Sequence, residues 1–245
     1  MIRSIMNRLL LVLCLLLTSH GWANEAVHLD HAPINPADQA SLQRGAKIFV
    51  NYCLNCHSAA YMRYNRLAEI GLDDSLIKDN LMFAGEKVGE TMKVAISGAD
   101  AKIWFGAAPP DLSVEARART ADWLYSYLRG FYRDDKRPIG WNNTVFPNVG
   151  MPHVLWQLQG QQVIKTSEKS HNPKSEAHDL VLSKAGSLST KEYDATVADL
   201  VNYLVFMAEP GKLWHQKLGV YVLLFLGVFY VIAYLLKKEF WKDIH

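Results

Sequence analysis

The sequence predicts a mainly α-helical domain with loop insertions and a small β-hairpin, followed by one C-terminal transmembrane helix. Apolar residues recur at helical spacing in two segments, 42–53 and 197–205, and this period is typical of amphipathic helices. Two shorter segments, 154–166 and 180–187, alternate between apolar and polar residues as paired strands do. An uncharged run lies near the end of the sequence. The chain of 245 residues is long enough for one domain and additional segments.

The uncharged run is Leu218–Leu236. As a helix it would extend about 28 Å, which matches the hydrocarbon core of a bilayer. Trp214 and Trp241 flank it, and positive residues follow, as at the cytoplasmic end of a span: Lys237, Lys238 and Lys242. We therefore expect a membrane anchor over 213–237 and a cytoplasmic tail over 238–245. A buried core helix is the alternative.

The first 23 residues have the layout of a cleaved secretory signal. Arg3 and Arg8 precede the apolar run Leu9–Leu17, and the small-residue site Gly21-Trp22-Ala23 ends the segment. An uncleaved signal anchor is the alternative, but this apolar run is short for a bilayer span. We therefore expect cleavage after Ala23, which would leave a domain over 24–212 outside the bacterial cytoplasm.

Charge and cysteine content narrow the possible functions. The formal net charge is +2, and the signal carries two arginines and no acidic residue, so the mature chain is formally neutral. A neutral balance does not support nucleic-acid binding. The signal also contains Cys14, one of three cysteines. Its removal leaves two cysteines, and we expect no disulfide.

These two cysteines belong to the sequence Cys53-Leu54-Asn55-Cys56-His57, which is a c-type haem attachment motif. In a helical turn this spacing puts both thiols and the imidazole on one side, so the sulfurs can reach the haem vinyl groups and His57 can reach the iron. The alternatives are half of a zinc site, a redox dithiol or a chance spacing. A zinc site would need two more soft ligands. We therefore predict one covalent haem c with His57 as an axial iron ligand.

A helix is expected to lead into this motif. Asn35 and Pro36 fit a helix start, and the apolar residues that follow recur at helical spacing as far as Cys53. Gly45 lies inside this helix at a cost of about 1 kcal/mol relative to alanine. Close packing against another helix would explain the glycine, and an indifferent surface position is the alternative.

The middle of the chain is expected to form loops and one further helix. Ser113 suits the N-cap of a helix that ends near Arg129, before Gly130. Arg117 and Arg119 within it are solvent-facing by default, but either guanidinium could pair with a haem propionate. Three acids precede this region and are usually a solvated face, with docking of a basic partner as the alternative: Asp73, Asp74 and Asp79.

A second axial iron ligand is expected from a methionine. Met151 lies in the turn Gly150-Met151-Pro152, which would hold the backbone and leave the thioether free to point inward. Four other methionines compete, with His153 as an outside candidate: Met62, Met82, Met92 and Met207. Met62 is close to the attachment site and Met207 belongs to a core-like helix face. Loop context therefore favours Met151, followed by Met82 and Met92.

The sequence of the last part of the domain predicts a hairpin and a capped helix. Segments 154–166 and 180–187 would pair, joined by a polar surface loop over 167–178. Ser189 and Glu192 form a capping box. The helix that follows should end at Pro210.

Together these residues resemble the cytochrome c1 family, in its bacterial form, along nearly the whole mature chain. The haem motif alone occurs in many cytochromes, whereas the combination of motifs is more specific. The segments that carry the resemblance are Arg44-Gly45, residues 53–58, Tyr61, residues 64–67, residues 106–113, Arg117-Ala118-Arg119, Phe146-Pro147, residues 150–152 and Ala208-Glu209-Pro210. Two departures stand out: Met151-Pro152-His153-Val154 replaces the Met-Ala-Pro-Pro common in the family, and the loop over 165–184 looks lengthened.

The resemblance implies a cytochrome c-like haem domain with His57 and Met151 as axial ligands. It also implies that Arg119 meets a haem propionate and that Pro110, Tyr125 and Phe146 line the haem pocket. The implied partners are cytochrome b, the Rieske iron–sulfur protein and a soluble cytochrome c, in a dimeric complex of the bacterial inner membrane with the haem domain in the periplasm.

The expected function is therefore one-electron transfer within a quinol:cytochrome c oxidoreductase, without an independent catalytic site in this chain. One alternative is a free-standing membrane-anchored cytochrome that serves a terminal oxidase. Alternatives of another class are a haem-based sensor and an assembly protein that uses Cys53 and Cys56 as thiols.

Overall fold

The computed structural model describes residues 28–165 and 180–242. The predicted signal over 1–23 and the predicted loop over 167–178 lie outside these residues. The α-helices are α1 (Gln39–Ile48), α2 (Asp74–Leu81), α3 (Gly98–Phe105), α4 (Glu115–Arg119), α5 (Ala121–Arg129), α6 (Trp156–Gln159), α7 (Thr190–Ala208) and α8 (Lys212–Phe240). A π-helical turn, Phe49–Cys53, continues α1, and a 3-10 helix spans Tyr64–Ile70.

The strands form three antiparallel pairs: β1 (Ala59–Arg63) with β2 (Thr91–Met92), β3 (Phe131–Arg133) with β4 (Trp141–Asn143), and β5 (Gly160–Ile164) with β6 (Leu180–Ala185). The mainly helical class and the predicted hairpin, β5–β6, are confirmed. The prediction of a strand from Val154 is wrong for its first six residues, because residues 154–155 form a turn and α6 follows. Gly160 then turns the chain with a φ of 98°, a conformation that favours glycine.

The crossing of α1 and α7 forms the centre of the domain. A Cβ at Gly45 would overlap the carbonyl oxygen of Asp199 and stand 2.7 Å from the Cβ of Tyr203. Beside this contact, Arg44 donates two hydrogen bonds to the Asp199 carboxylate, at 2.6 and 2.9 Å. Of the two interpretations of Gly45, close helix packing is therefore the correct one.

Two predicted helix starts are wrong. Helix α1 begins at Gln39, because Asp38 accepts a hydrogen bond from the backbone N–H of Ser41 and is the N-cap. Asn35 instead makes a turn in which its side chain accepts from Ala37. The predicted helix from Ser113 to Arg129 is divided into α4 and α5 at Thr120, which has a φ of 77° and caps α5 through Trp123 N–H.

The predicted ends of α7 are confirmed, since Ser189 and Glu192 form the capping box and the helix stops at Ala208, before Pro210. Helix α8 has 29 residues and is, in the described part of the chain, the one helix long and apolar enough to cross a membrane. Its apolar side chains are exposed along its length, which excludes the alternative of a buried core helix.

Candidate haem site

The cysteine motif begins where the π-helical turn ends. Leu54 N–H donates to Phe49 carbonyl at 3.0 Å, and the backbone N–H groups of Cys56 and His57 then both donate to the Cys53 carbonyl, at 3.1 and 2.9 Å. This tight winding keeps the two thiols and the imidazole close to one turn. Cys53 is buried and Cys56 is half-buried, and both are free thiols.

The loop over residues 110–113 forms hydrogen bonds with the segment that contains His57. The Pro110 carbonyl accepts from the Nδ1 of His57 at 2.8 Å. This bond fixes the tautomer and leaves Nε2 as the nitrogen that can bind a metal. Leu112 N–H donates to the Ser58 carbonyl at 2.8 Å. The Pro-Pro-Asp-Leu-Ser sequence therefore supports His57, the predicted axial ligand.

Two side chains of the same loop bind the start of β1. Asp111 accepts from Ala60 N–H and from Ser113 N–H, both at 2.8 Å. The Ser113 hydroxyl accepts from Tyr61 N–H at 3.0 Å. Ser113 thus holds the loop against β1 and is not the helix N-cap that its sequence context predicted.

We expect Asp111→Ala to loosen this loop. The substitution removes the acceptor for two backbone N–H groups, so the free energy of unfolding should fall by about 1–2 kcal/mol. Thermal unfolding of the purified protein, followed by far-UV circular dichroism, measures the loss. Asp79→Ala is the matched control, because Asp79 is exposed and its one hydrogen bond is to Ser75 on the same helix. An equal loss in both variants would contradict the role of Asp111.

The pKa of the Cys53 thiol argues against dithiol chemistry, and the residues available as ligands argue against a zinc site. Burial raises the pKa of the Cys53 thiol to about 12, whereas a redox-active cysteine needs a lowered thiol pKa. Burial also lowers the pKa of His57, opposed by its hydrogen bond to Pro110, and a neutral imidazole is the form that binds metals. Within residues 28–165 and 180–242, no group of three or more His, Cys, Asp and Glu side chains could hold a metal ion.

Three residues predicted for the haem site lie close together beside α5: Arg119, Phe146 and Met151. The guanidinium of Arg119 lies over the rings of Trp123 and Phe146, at 4.9 and 5.8 Å from their centroids. Trp123 stacks on Tyr127 at 4.8 Å. The Tyr127 hydroxyl donates to the Met151 sulfur at 3.3 Å. The structure therefore brings Arg119, Phe146 and Met151 together around two aromatic rings.

Sequence reasoning missed Trp123 and Tyr127. They lie four residues apart within α5, which places both side chains on one helix face. This spacing of aromatic residues is the sequence signal that could have identified them.

Four of the five other candidate iron ligands are buried. Met62 and Met207 are buried in the core, and the buried Met92 sulfur lies 3.7 Å from the Tyr203 hydroxyl. His153 is buried, stacked on Phe131 at 4.9 Å and edge-on to Trp141 at 5.1 Å. Met82 is half-buried and remains the one competing methionine outside the core.

Tyr125 lies apart from the Arg119 group. Its ring is under the guanidinium of Arg129, at 4.5 Å. Arg129 in turn pairs with Asp194 on α7 at 2.6 Å and with Asp30 at 2.7 Å. The structure thus places Tyr125 in an ion-pair cluster that joins α5, α7 and the lead-in segment, and its role in lining a haem pocket stays a prediction.

The donor set fits haem c better than another cofactor. One imidazole has its Nδ1 occupied and its Nε2 available, two free thiols precede it at the attachment spacing, and one thioether is held in a separate loop. Within the described residues no hydrogen bond joins the His57 group to the Met151 group. Two ligand groups from separate segments are what a cofactor bound between them requires.

Comparison with known proteins identifies the family. The model of the cytochrome c1 family matches residues 30–244. The chain belongs to the cytochrome c1 family. It is 51% identical over 221 residues to the cytochrome c1 of Allochromatium vinosum, covering 89% of this chain and 90% of that protein. The resemblance stated from the motifs is therefore confirmed.

Other relatives extend the comparison. The chain is 30% identical to the cytochrome c1 of Rhodospirillum rubrum, with 84% and 83% of the two chains covered. It is also 49% identical over 243 residues to a protein of Nitrosomonas europaea named ammonia monooxygenase gamma subunit, with 99% and 100% covered. A chain of a hyperthermophilic respiratory Complex III has a TM-score of 0.45 and 16% identity, covering 100% of this chain and 98% of that one.

Family membership supports an electron-transfer subunit of the cytochrome bc1 complex and implies that the protein binds haem c. It also identifies the chain as a membrane-anchored subunit, for which α8 is the candidate span.

Proposed function

We propose that this protein passes one electron at a time from a Rieske iron–sulfur protein, through one covalently attached haem c, to a soluble cytochrome c. The observation that supports this most directly is the His57 imidazole, which is bonded through Nδ1 to Pro110 at 2.8 Å directly after two free cysteines. When bound, haem c supplies a one-electron iron couple.

The side chains of this protein hold and tune that couple and carry out no acid–base step. Cys53 and Cys56 would attach the porphyrin, and His57 and Met151 would bind the iron. Arg119, over Trp123 at 4.9 Å, would offer its guanidinium to a propionate, since planar guanidinium groups suit carboxylates. A methionine ligand raises the reduction potential relative to two histidines, which favours electron transfer to a high-potential acceptor.

The proposed topology places the haem domain in the periplasm of a bacterial inner membrane. Helix α8 would cross once, with Lys237 and Lys238 at its cytoplasmic end. This arrangement would hold the domain beside cytochrome b in a dimeric complex, within reach of both electron partners.

A second candidate function follows from one relative. The protein named ammonia monooxygenase gamma subunit is similar along almost the whole of this chain. The present protein could therefore deliver electrons in a complex with a monooxygenase. A free-standing cytochrome serving a terminal oxidase is the third arrangement that the same site would allow.

Purification of the full-length protein in mild detergent distinguishes these functions. We expect the chain to retain haem after denaturing electrophoresis, to show the reduced spectrum of a His/Met c-type haem, and to copurify with cytochrome b and a Rieske protein. Copurification with monooxygenase subunits, or of the cytochrome alone, would contradict the proposal. Loss of haem on denaturation would contradict covalent attachment through Cys53 and Cys56.

A further inference from the structure

A cavity of about 310 Å³ opens where α4 and the start of α5 meet the end of α7 and the start of α8. Its apolar wall includes Ala116 and Val205, both buried. The polar groups that line it are Arg117, Thr120, Glu209 and Lys212. Of the two arginines considered for a haem propionate, Arg117 lines this cavity, and Arg119 does not.

Two cations and one carboxylate line the cavity, so its formal charge is positive. In the described part of the chain, neither Arg117 nor Lys212 takes part in an ion pair. By contrast, Arg119 on the same helix pairs with Glu115 at 3.3 Å. The two cations of the cavity are therefore available to an anion from outside the chain.

The cavity lies at the boundary between the domain and the membrane span. Lys212 is the first residue of α8 and precedes Leu218, where the apolar run begins, by a helical rise of about 9 Å. The polar layer on each side of the hydrocarbon core is roughly 5–8 Å thick. Trp214, exposed on the first turn of α8, is typical of this layer. Lys212 thus lies at the outer edge of the lipid headgroup layer, into which its long side chain can reach.

Helix ends of both signs line the cavity. Helix α5 begins at Ala121 and α8 begins at Lys212, and both residues line the cavity. The N-terminal end of a helix carries a partial positive charge that favours anions. Helix α7 ends at Ala208, which also lines the cavity, and its C-terminal end carries the opposite partial charge. The positive charge of the cavity therefore comes mainly from the Arg117 and Lys212 side chains, against the carboxylate of Glu209.

We propose that this cavity binds the phosphate headgroup of an anionic phospholipid. Arg117 and Lys212 hold the phosphate through charge-assisted hydrogen bonds, and the alanine and valine wall contacts the glycerol region. The acyl chains extend down the exposed apolar surface of α8. The bound lipid thereby links α4, which follows the loop that supports His57, to the membrane anchor. This inference does not depend on the electron partners proposed above.

The test uses the full-length holoprotein, delipidated in mild detergent and titrated with phosphatidylglycerol, phosphatidylcholine or inorganic phosphate, with bound lipid counted by native mass spectrometry. We expect one tightly held phosphatidylglycerol. Arg117→Gln and Lys212→Gln should each weaken its binding about tenfold. Lys217→Gln is the matched control, because it removes the same charge from α8 outside the cavity and should change binding by less than about twofold. Glu209→Gln should strengthen binding.

Any of four results would overturn the proposal. Phosphatidylcholine could bind as tightly as phosphatidylglycerol, Lys217→Gln could weaken binding as much as Lys212→Gln, or inorganic phosphate alone could occupy the site with the affinity of the lipid. Crosslinking from position 117 to a partner polypeptide of the purified complex, with no lipid retained, would likewise assign the cavity to a protein contact. All four variants should keep the haem spectrum, which separates this test from that of the proposed function.

Discussion

Replacing Met151 by leucine should lower the reduction potential of the bound haem and allow carbon monoxide to bind the ferrous iron. Leucine fills a similar volume but offers no lone pair, so the iron would lose a ligand that favours the reduced state. Axial ligands set haem potentials over a range of ~0.8 V, and we expect a fall of about a quarter of that range. Redox titration and carbon monoxide difference spectra measure both effects.

Met82→Leu is the control for this experiment, because Met82 is the competing methionine that lies outside the core. It should leave both the potential and carbon monoxide binding unchanged. If Met82→Leu opened the iron and Met151→Leu did not, the ligand assignment would be wrong. An unchanged potential in both variants would exclude both methionines as iron ligands.

The variant Tyr127→Phe tests the hydrogen bond that supports Met151 separately from Met151 itself. The Tyr127 hydroxyl donates to the Met151 sulfur at 3.3 Å, so its removal should weaken the positioning of the thioether without removing it. We expect a smaller change of potential than in Met151→Leu and no carbon monoxide binding. Carbon monoxide binding equal to that of Met151→Leu would mean that Tyr127 is required for ligation.

Gly45→Ala should destabilise the domain although alanine is the better helix former. The substitution gains about 1 kcal/mol of helix propensity. Its Cβ, however, would overlap the carbonyl oxygen of Asp199 and stand 2.7 Å from the Tyr203 Cβ. Since α1 and α7 must then separate, the net free energy of unfolding should fall by about 2 kcal/mol, equivalent to roughly 5 °C in the unfolding midpoint.

The measurement is thermal unfolding of the holoprotein in mild detergent, followed by circular dichroism. Gly89→Ala is the matched control, because nothing lies within 4 Å of a Cβ built at that position. Its midpoint should stay within about 1–2 °C of the unsubstituted protein. A midpoint that rises in Gly45→Ala would contradict the close packing of α1 and α7.

Several features could be predicted from local sequence because each depends on few residues. The haem motif needs only a spacing of two thiols and an imidazole. The capping box of α7 needs only Ser189 and Glu192, and α8 needs only a long apolar run. These are short-range patterns whose chemistry does not depend on the rest of the chain.

Other features depended on partners distant in sequence. Serine is a residue type that favours the N-cap position. The Ser113 hydroxyl, however, accepts a hydrogen bond from the backbone N–H of Tyr61, 52 residues earlier. Thr120 breaks a helix that its neighbours would continue, with a φ of 77°. Neither outcome follows from local propensity, because competing long-range hydrogen bonds and packing decide between alternatives of similar local energy.

By itself, the sequence determined the class of the protein, its cysteine motif, its candidate span and the candidate ligands His57 and Met151. Only the tertiary structure decided which groups support them: the Pro110 carbonyl on His57, the Tyr127 hydroxyl on Met151, and the backbone of Asp199 against Gly45. The physical reason is the same in each case. Ligand types and apolar patterns are properties of residues. A hydrogen bond, by contrast, exists only when the fold brings donor and acceptor within about 3 Å, and a helix crossing exists only when two distant helices pack against each other.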